Sequence, residues 1–159
     1  MPNTRRRTCR KGQRQYSEFS PVEIRDSDGL AHVFHFRTND FGLGIALNGF
    51  EVRGGEPSGY EFQVIGEPDA DLPDLLANLI GKIRRALALK HIVKGDLGPC
   101  IADHQIVRGR IGCDLTEEEH TPLLVIDGRE FTWSEFGRMI MTFEDCQFKL
   151  EIRDKSEEV

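Results

Sequence analysis

Apolar positions along the chain recur with a period of two in several short runs and with a helical period in two longer ones. From Val22 the pattern is strand-like. VEIRD runs into the turn dipeptide Asp28 and Gly29, and LAHVFHFRT follows, with Phe34 and Phe36 on one face and Val33 and His35 on the other. This arrangement predicts a first hairpin. Residues 41–53 are apolar but punctuated by Gly42, Gly44 and Gly49, which predicts a bulged strand or a turn rather than a helix. After a loop at 54–59, Tyr60, Phe62 and Val64 alternate with Glu61 and Gln63, giving a strand with one polar face.

Residues 71–91 carry the clearest helical signal. Asp71 is placed to cap the N-terminus, and Pro73 falls in the first turn, where its missing N–H removes no helical bond. Leu72, Leu75, Leu76, Leu79, Ile80, Ile83 and Leu87 form a wide apolar stripe, while Lys82, Arg84, Arg85 and Lys90 fill the rest. Residues 94–104 read as irregular, 105–113 as a strand and 114–120 as an acidic loop. LLVID and REFTW then pair through Asp127 and Gly128, the strongest hairpin signal in the chain. Thr132 and Glu135 fit a capping box that opens a helix with Phe136, Met139, Ile140 and Phe143 on one stripe. FKLEIRD predicts a closing strand, with Phe148, Leu150 and Ile152 inward and Lys149, Glu151 and Arg153 outward. About seven strands and two amphipathic helices, with hairpins predominating, predict an α+β fold: a mostly antiparallel sheet with the helices packed on it.

Length and charge refine this picture. A chain of 159 residues suits one domain with one core, placed at residues 18–159. Residues 1–17 are polar, basic and without apolar period, and are predicted to form a disordered arm. Arg5, Arg6, Arg7, Arg10, Lys11 and Arg14 give the first 15 residues a charge of +6 with no acid. The remainder holds 15 Lys and Arg against 27 Asp and Glu, a balance of −12. No apolar run reaches the ~18 residues of a membrane span. Arg5, Arg6 and Arg7 are followed by polar residues rather than by the apolar core of a signal peptide. The four cysteines (Cys9, Cys100, Cys113 and Cys146) are scattered without a CxxC pair, which reads as reduced thiols in the cytoplasm.

Candidate chemistry is sparse. Cys100, His104, Cys113 and His120 are spaced C-x3-H-x8-C-x6-H, and two thiols with two imidazoles are ligand types that tetrahedral zinc takes. The spacing matches no known finger, and buried Cys with surface His in loops is the competing account. His32 and His35 point to opposite strand faces, so they read as ordinary strand histidines rather than a ligand pair. No G-x-S-x-G elbow and no glycine-rich phosphate loop is present. Asp127 is explained by its turn. The basic residues Arg5, Arg6, Arg7, Arg10, Lys11 and Arg14 would contact phosphates with affinity that falls as salt rises. A solubilising arm attracted to its own acidic body is the alternative.

Residues 59–92 (GYEFQVIGEPDADLPDLLANLIGKIRRALALKHI) and 122–158 (PLLVIDGREFTWSEFGRMIMTFEDCQFKLEIRDKSEE) resemble an uncharacterised bacterial domain family, a domain of unknown function. The resemblance implies a bacterial, intracellular protein and brings no catalytic or binding residue with it. The expectation is therefore a small cytoplasmic, non-enzymatic protein-interaction module that uses no cofactor and binds another protein, with self-association through an open strand edge left open. Two alternatives stand beside it: nucleic-acid association through the arm, and a metal-dependent enzyme using the Cys/His set.

Overall fold

The computed structural model describes residues 19–114 and 121–157. Within them the chain forms nine strands and two α-helices, with every strand pair antiparallel: an α+β architecture. Strands β1 (Val22–Arg25), β2 (Ala31–Asp40), β3 (Ile45–Arg53) and β4 (Glu56–Gly66) form one sheet in chain order. Helix α1 (Leu72–Leu87) packs on it. Strands β5 (Ile92–Gly95) and β6 (Gly98–Ile101) pair with each other. Strands β7 (Arg110–Asp114), β8 (Thr121–Ile126) and β9 (Arg129–Thr132) make a third sheet, followed by α2 (Trp133–Ile140) and a 3-10 turn at Met141–Phe143.

The two-residue period sends His32, Phe34 and Phe36 of β2 to the face that α1 covers, and all three are buried. Leu75, Leu79, Ile83 and Leu87, spaced four apart, form the buried stripe of α1 and meet Ile24, Phe34, Phe36 and Leu47 in one core. Helix and sheet approach so closely over Gly49 that a Cβ there would lie 3.2 Å from Leu79 Cδ2 and 3.3 Å from Ile83 Cδ1. A second core joins Ile92, Ile126, Phe131 and Met139. Asp71 caps α1 by accepting the Asp74 N–H at 3.1 Å, and the capping box at α2 is complete in both directions.

Several elements differ from the sequence expectation. Strand β4 starts at Glu56, so the loop at 54–59 shrinks to the turn at Gly54 and Gly55. Helix α1 ends at Leu87, not 91, because the chain beyond it is held elsewhere: the Leu87 carbonyl accepts the Ser27 N–H at 3.0 Å, and the His91 and Ile92 N–H groups bond Asp127. Residues 94–104, read as irregular, contain β6 and the end of β5, two four-residue strands that are too short and too rich in Gly and Pro to carry a period. The strand expected at 105–113 is confined to β7, with 105–109 irregular. The largest correction concerns FKLEIRD. It joins no sheet, and its apolar residues point outward: Phe148, Leu150 and Ile152 are 90%, 73% and 69% exposed.

Candidate functional site

The chemistry-bearing groups converge at the seam between the β1–β4 sheet and the later strands. Asp26 directly follows β1, His32 lies on β2, Glu51 on β3 and Lys90 just beyond α1. Asp26, His32 and Glu51 are buried. His32 Nδ1 lies 2.9 Å from Glu51 Oε1, and His32 Nε2 lies 3.1 Å from Asp26 Oδ2. The Lys90 ammonium donates to Asp26 Oδ2 at 2.6 Å, and the Arg53 guanidinium grips Glu51 at 3.0 and 3.2 Å. Asp26 Oδ1 accepts the N–H groups of Asp28 and Leu30, both at 2.9 Å. Burial on its own would raise the Asp26 carboxyl; the hydrogen bonds from Lys90, His32 and the two backbone N–H groups outweigh it and hold the group well below the usual carboxylate range.

Tyr60 of β4 closes the network. Its ring meets His32 edge-on with centroids 5.4 Å apart, and its N–H lies 3.4 Å from Glu51 Oε2. The phenol oxygen is buried and has no hydrogen-bond partner. Burial, reinforced by the charges of Asp127, Asp26 and Glu51, holds this phenol above its ordinary range, so it stays a neutral donor without an acceptor.

Asp127 sits at the centre of the seam. Both turn residues between β8 and β9 have positive φ (Asp127 50°, Gly128 68°), the turn type that twists with its strands. The turn aims the Asp127 carboxylate back at the α1–β5 connection, where Oδ2 accepts the His91 N–H at 2.7 Å and the Ile92 N–H at 2.8 Å. Burial pushes the His91 imidazole below its ordinary value, and its Nδ1–H donates to the Ile106 carbonyl at 2.9 Å. A shallow cleft of about 460 Å³ opens over this seam, with Ser27, Asp28, Lys90, Lys94, Asp127 and Arg129 in its wall.

The network is closed on itself. Both ring nitrogens of His32 face carboxylate oxygens, which leaves neither free to act as a base, and both oxygens of Asp26 and of Glu51 are engaged. Its chemistry is that of a buried charge cluster tying β1, β2, β3 and the α1–β5 connection together.

Of the sequence-predicted ligands, Cys100, His104 and Cys113 lie within the described residues. Cys100 lies on β6 with Sγ 3.7 Å from the Val93 carbonyl, and Cys113 is exposed on β7. His104 commits both ring nitrogens to the backbone: Nε2–H donates to the Lys90 carbonyl at 2.8 Å, and Nδ1 accepts the Ile106 N–H at 3.2 Å. His120 and the arm residues Arg5, Arg6, Arg7, Arg10, Lys11 and Arg14 lie outside the described residues. Among the described residues no group of three or more His, Cys, Asp and Glu side chains is placed to hold a metal ion, and no helix is long and apolar enough to cross a membrane.

On the sequence alone, His32 is an ordinary strand residue and Asp127 a turn former. Parity had already placed His32 on the Phe34 face, and a histidine on a core face needs partners; that was the available signal.

A second feature follows α2 in the chain. The Cys146 N–H donates to the Phe143 carbonyl at 3.0 Å, and residues 147–153 then continue without a turn, a bend or a ladder partner. Lys149 and Arg153 both bond Glu151, as side chains two apart do on one face of a strand. Phe148, Leu150 and Ile152 occupy the other face, toward solvent. Beyond them the Lys82 ammonium of α1 sits within 2.8–3.1 Å of the carbonyls of Gln63, Lys155, Ser156 and Glu157. Residues 147–153 are thus tethered at both ends and unpaired between.

No curated protein and no solved structure matches this chain. Residues 16–88 match a family model described as a domain of unknown function (DUF7686), and residues 91–157 match a second, also described as a domain of unknown function (DUF7713). The two matches lie in succession along the chain, with Leu89 and Lys90 between them, beside the seam.

Proposed function

We propose that this protein acts as a protein-interaction module of the cytoplasm, and that residues 147–153 form its contact element. One observation carries the reading: three large apolar side chains alternate along an unpaired segment, each more than two-thirds exposed. Exposed apolar side chains are ordinary one at a time, but a contiguous stripe of them marks a contact surface. Adding such a segment to another strand would satisfy its backbone groups and bury the stripe together. The seam supports binding over catalysis, since its titratable groups are committed to one another. The ties between Lys82 and residues 155–157, between Arg110 and Glu61, and between Lys155 and Glu61 favour residues 18–159 working as one domain.

The test is photo-crosslinking from a benzoylphenylalanine placed at Phe148 in cells. Discrete protein adducts that vanish on Leu150→Ser with Ile152→Ser are the expected result. Turnover of a defined substrate, abolished by Lys94→Ala or Arg129→Ala in the cleft with the adducts unchanged, would overturn the reading.

A second reading rests on the arm, whose six cations in 15 residues suit phosphate contact. It requires nucleic-acid binding that weakens steeply with salt and disappears when residues 1–15 are deleted.

A further inference from the structure

The segment 147–153 reads QFKLEIR, and its order of side chains is self-complementary. Two copies laid antiparallel about Leu150 place Leu150 opposite Leu150, Phe148 opposite Ile152, Lys149 opposite Glu151 and Gln147 opposite Arg153. Every apolar residue then faces an apolar one, and every Lys149 faces the opposite charge. The neighbouring registers fail. A two-residue slip toward the N-terminus centres the pair on Lys149 and sets like charges face to face. A slip the other way centres it on Glu151, with the same defect, and sets Lys149 opposite Arg153. A one-residue slip puts polar residues against apolar ones along the whole length. One register alone satisfies both faces, and it has the two-fold symmetry that a homodimer requires.

We infer that residues 147–153 are a self-association strand: two copies of this chain pair antiparallel through them, with the two-fold axis at Leu150. The inference rests on the interaction reading above and names its partner as a second copy. Three features of the structure carry it. The strand is empty: its apolar face is open, and no sheet of its own chain takes it up. The strand is held: the turn closed by Cys146 and the Lys82 clasp on the 155–157 carbonyls fix both ends, which lowers the ordering entropy lost on pairing. The polar face is already aligned: Lys149, Glu151 and Arg153 lie side by side within the strand, so dimerisation adds cross-strand charge contacts without turning any residue over.

The experiment uses the full chain and two charge reversals, Lys149→Glu and Glu151→Lys, both exposed positions, with mass measured by sedimentation and folding checked by circular dichroism. The native protein is expected to be dimeric at tens of micromolar. Each variant alone places like charges opposite one another at both polar positions, and should weaken the dimer tenfold or more. An equimolar mixture of the two variants restores opposite charges at every position across the pair. It should form a mixed dimer as tight as the native one, a result that only intermolecular pairing in this register produces.

A dimer that survives both single reversals, or a mixture that stays monomeric while the native chain is dimeric, overturns the inference. A native chain that is monomeric at every concentration overturns it too. In that case crosslinks from position 148 to a different protein would leave the interaction reading standing, whereas their absence would remove both.

Discussion

Replacing Asp127 by alanine should loosen the seam by a calculable amount. The carboxylate accepts two backbone N–H groups, from His91 at 2.7 Å and Ile92 at 2.8 Å, and these residues are only 6% and 7% exposed. Water reaches this point from the cleft that Asp127 lines, so it replaces part of the lost acceptor. Hydrogen bonds to a charged group contribute about 1.5–3 kcal/mol each, and a buried donor left unpaired costs about 1–3 kcal/mol. The φ of 50° adds a smaller term, because aspartate tolerates the left-handed region and alanine does not. Together these give a loss of about 3–5 kcal/mol for Asp127→Ala. Asp127→Asn keeps an oxygen acceptor and the turn preference, and should lose about 1 kcal/mol. Urea unfolding of the three proteins measures the difference, and amide exchange at His91 and Ile92 localises it. Equal stability of the native chain and Asp127→Ala, or unaltered protection at both amides, would refute the claim that this turn fastens the start of β5.

Three further outcomes follow from the same structure. Tyr60→Phe removes a buried hydroxyl that has no partner, so it should raise stability by about 1 kcal/mol; a loss of that size would mean the hydroxyl is satisfied in solution. His91 is pushed below its ordinary value of 6.5, so the unfolded chain takes up a proton there before the folded chain does. Stability from this group is full above about 6.5 and falls as pH drops below it, and His91→Asn, which keeps a donor for Ile106, should flatten that slope in urea titrations between pH 7.5 and 5. Gly49→Ala forces a Cβ to within 3.2 Å of Leu79 and 3.3 Å of Ile83, and should lower the thermal midpoint through overpacking of about 1–3 kcal/mol; an unchanged midpoint would show that α1 moves out at no cost.

What the sequence made legible is what local periodicity encodes. The parity of Phe34 and Phe36, the four-residue spacing from Leu75 to Leu87, and the Asp127 and Gly128 turn are each visible within a dozen residues, and each is found in the structure. The seam is different in kind. His32 meets Glu51 only because β2 and β3 pair with Phe34 opposite Glu51, and Lys90 reaches Asp26 from 64 residues away. No window on the chain contains those pairs. FKLEIRD shows the other limit. Alternation fixes which side chains share a face, and that part holds, with Lys149, Glu151 and Arg153 together and Phe148, Leu150 and Ile152 opposite. Alternation does not say whether a neighbouring strand is there to receive that face.

The Lys82 clasp also sets a schedule for synthesis. Lys82 emerges from the ribosome with α1, but among the described residues the Lys155, Ser156 and Glu157 carbonyls at its ammonium are made 73 to 75 positions later. Lys90, which neutralises buried Asp26, also follows the strand that needs it, by 64 positions. During translation the first sheet and α1 can collapse on their apolar core, and Lys90 follows α1 by only three positions, while the carbonyls of residues 155–157 come with the end of the second matched segment. The clasp of Lys82 on residues 155–157 is therefore the last of these fastenings to become available, and a ribosome stalled between the two matched segments would present the first sheet and α1 without it.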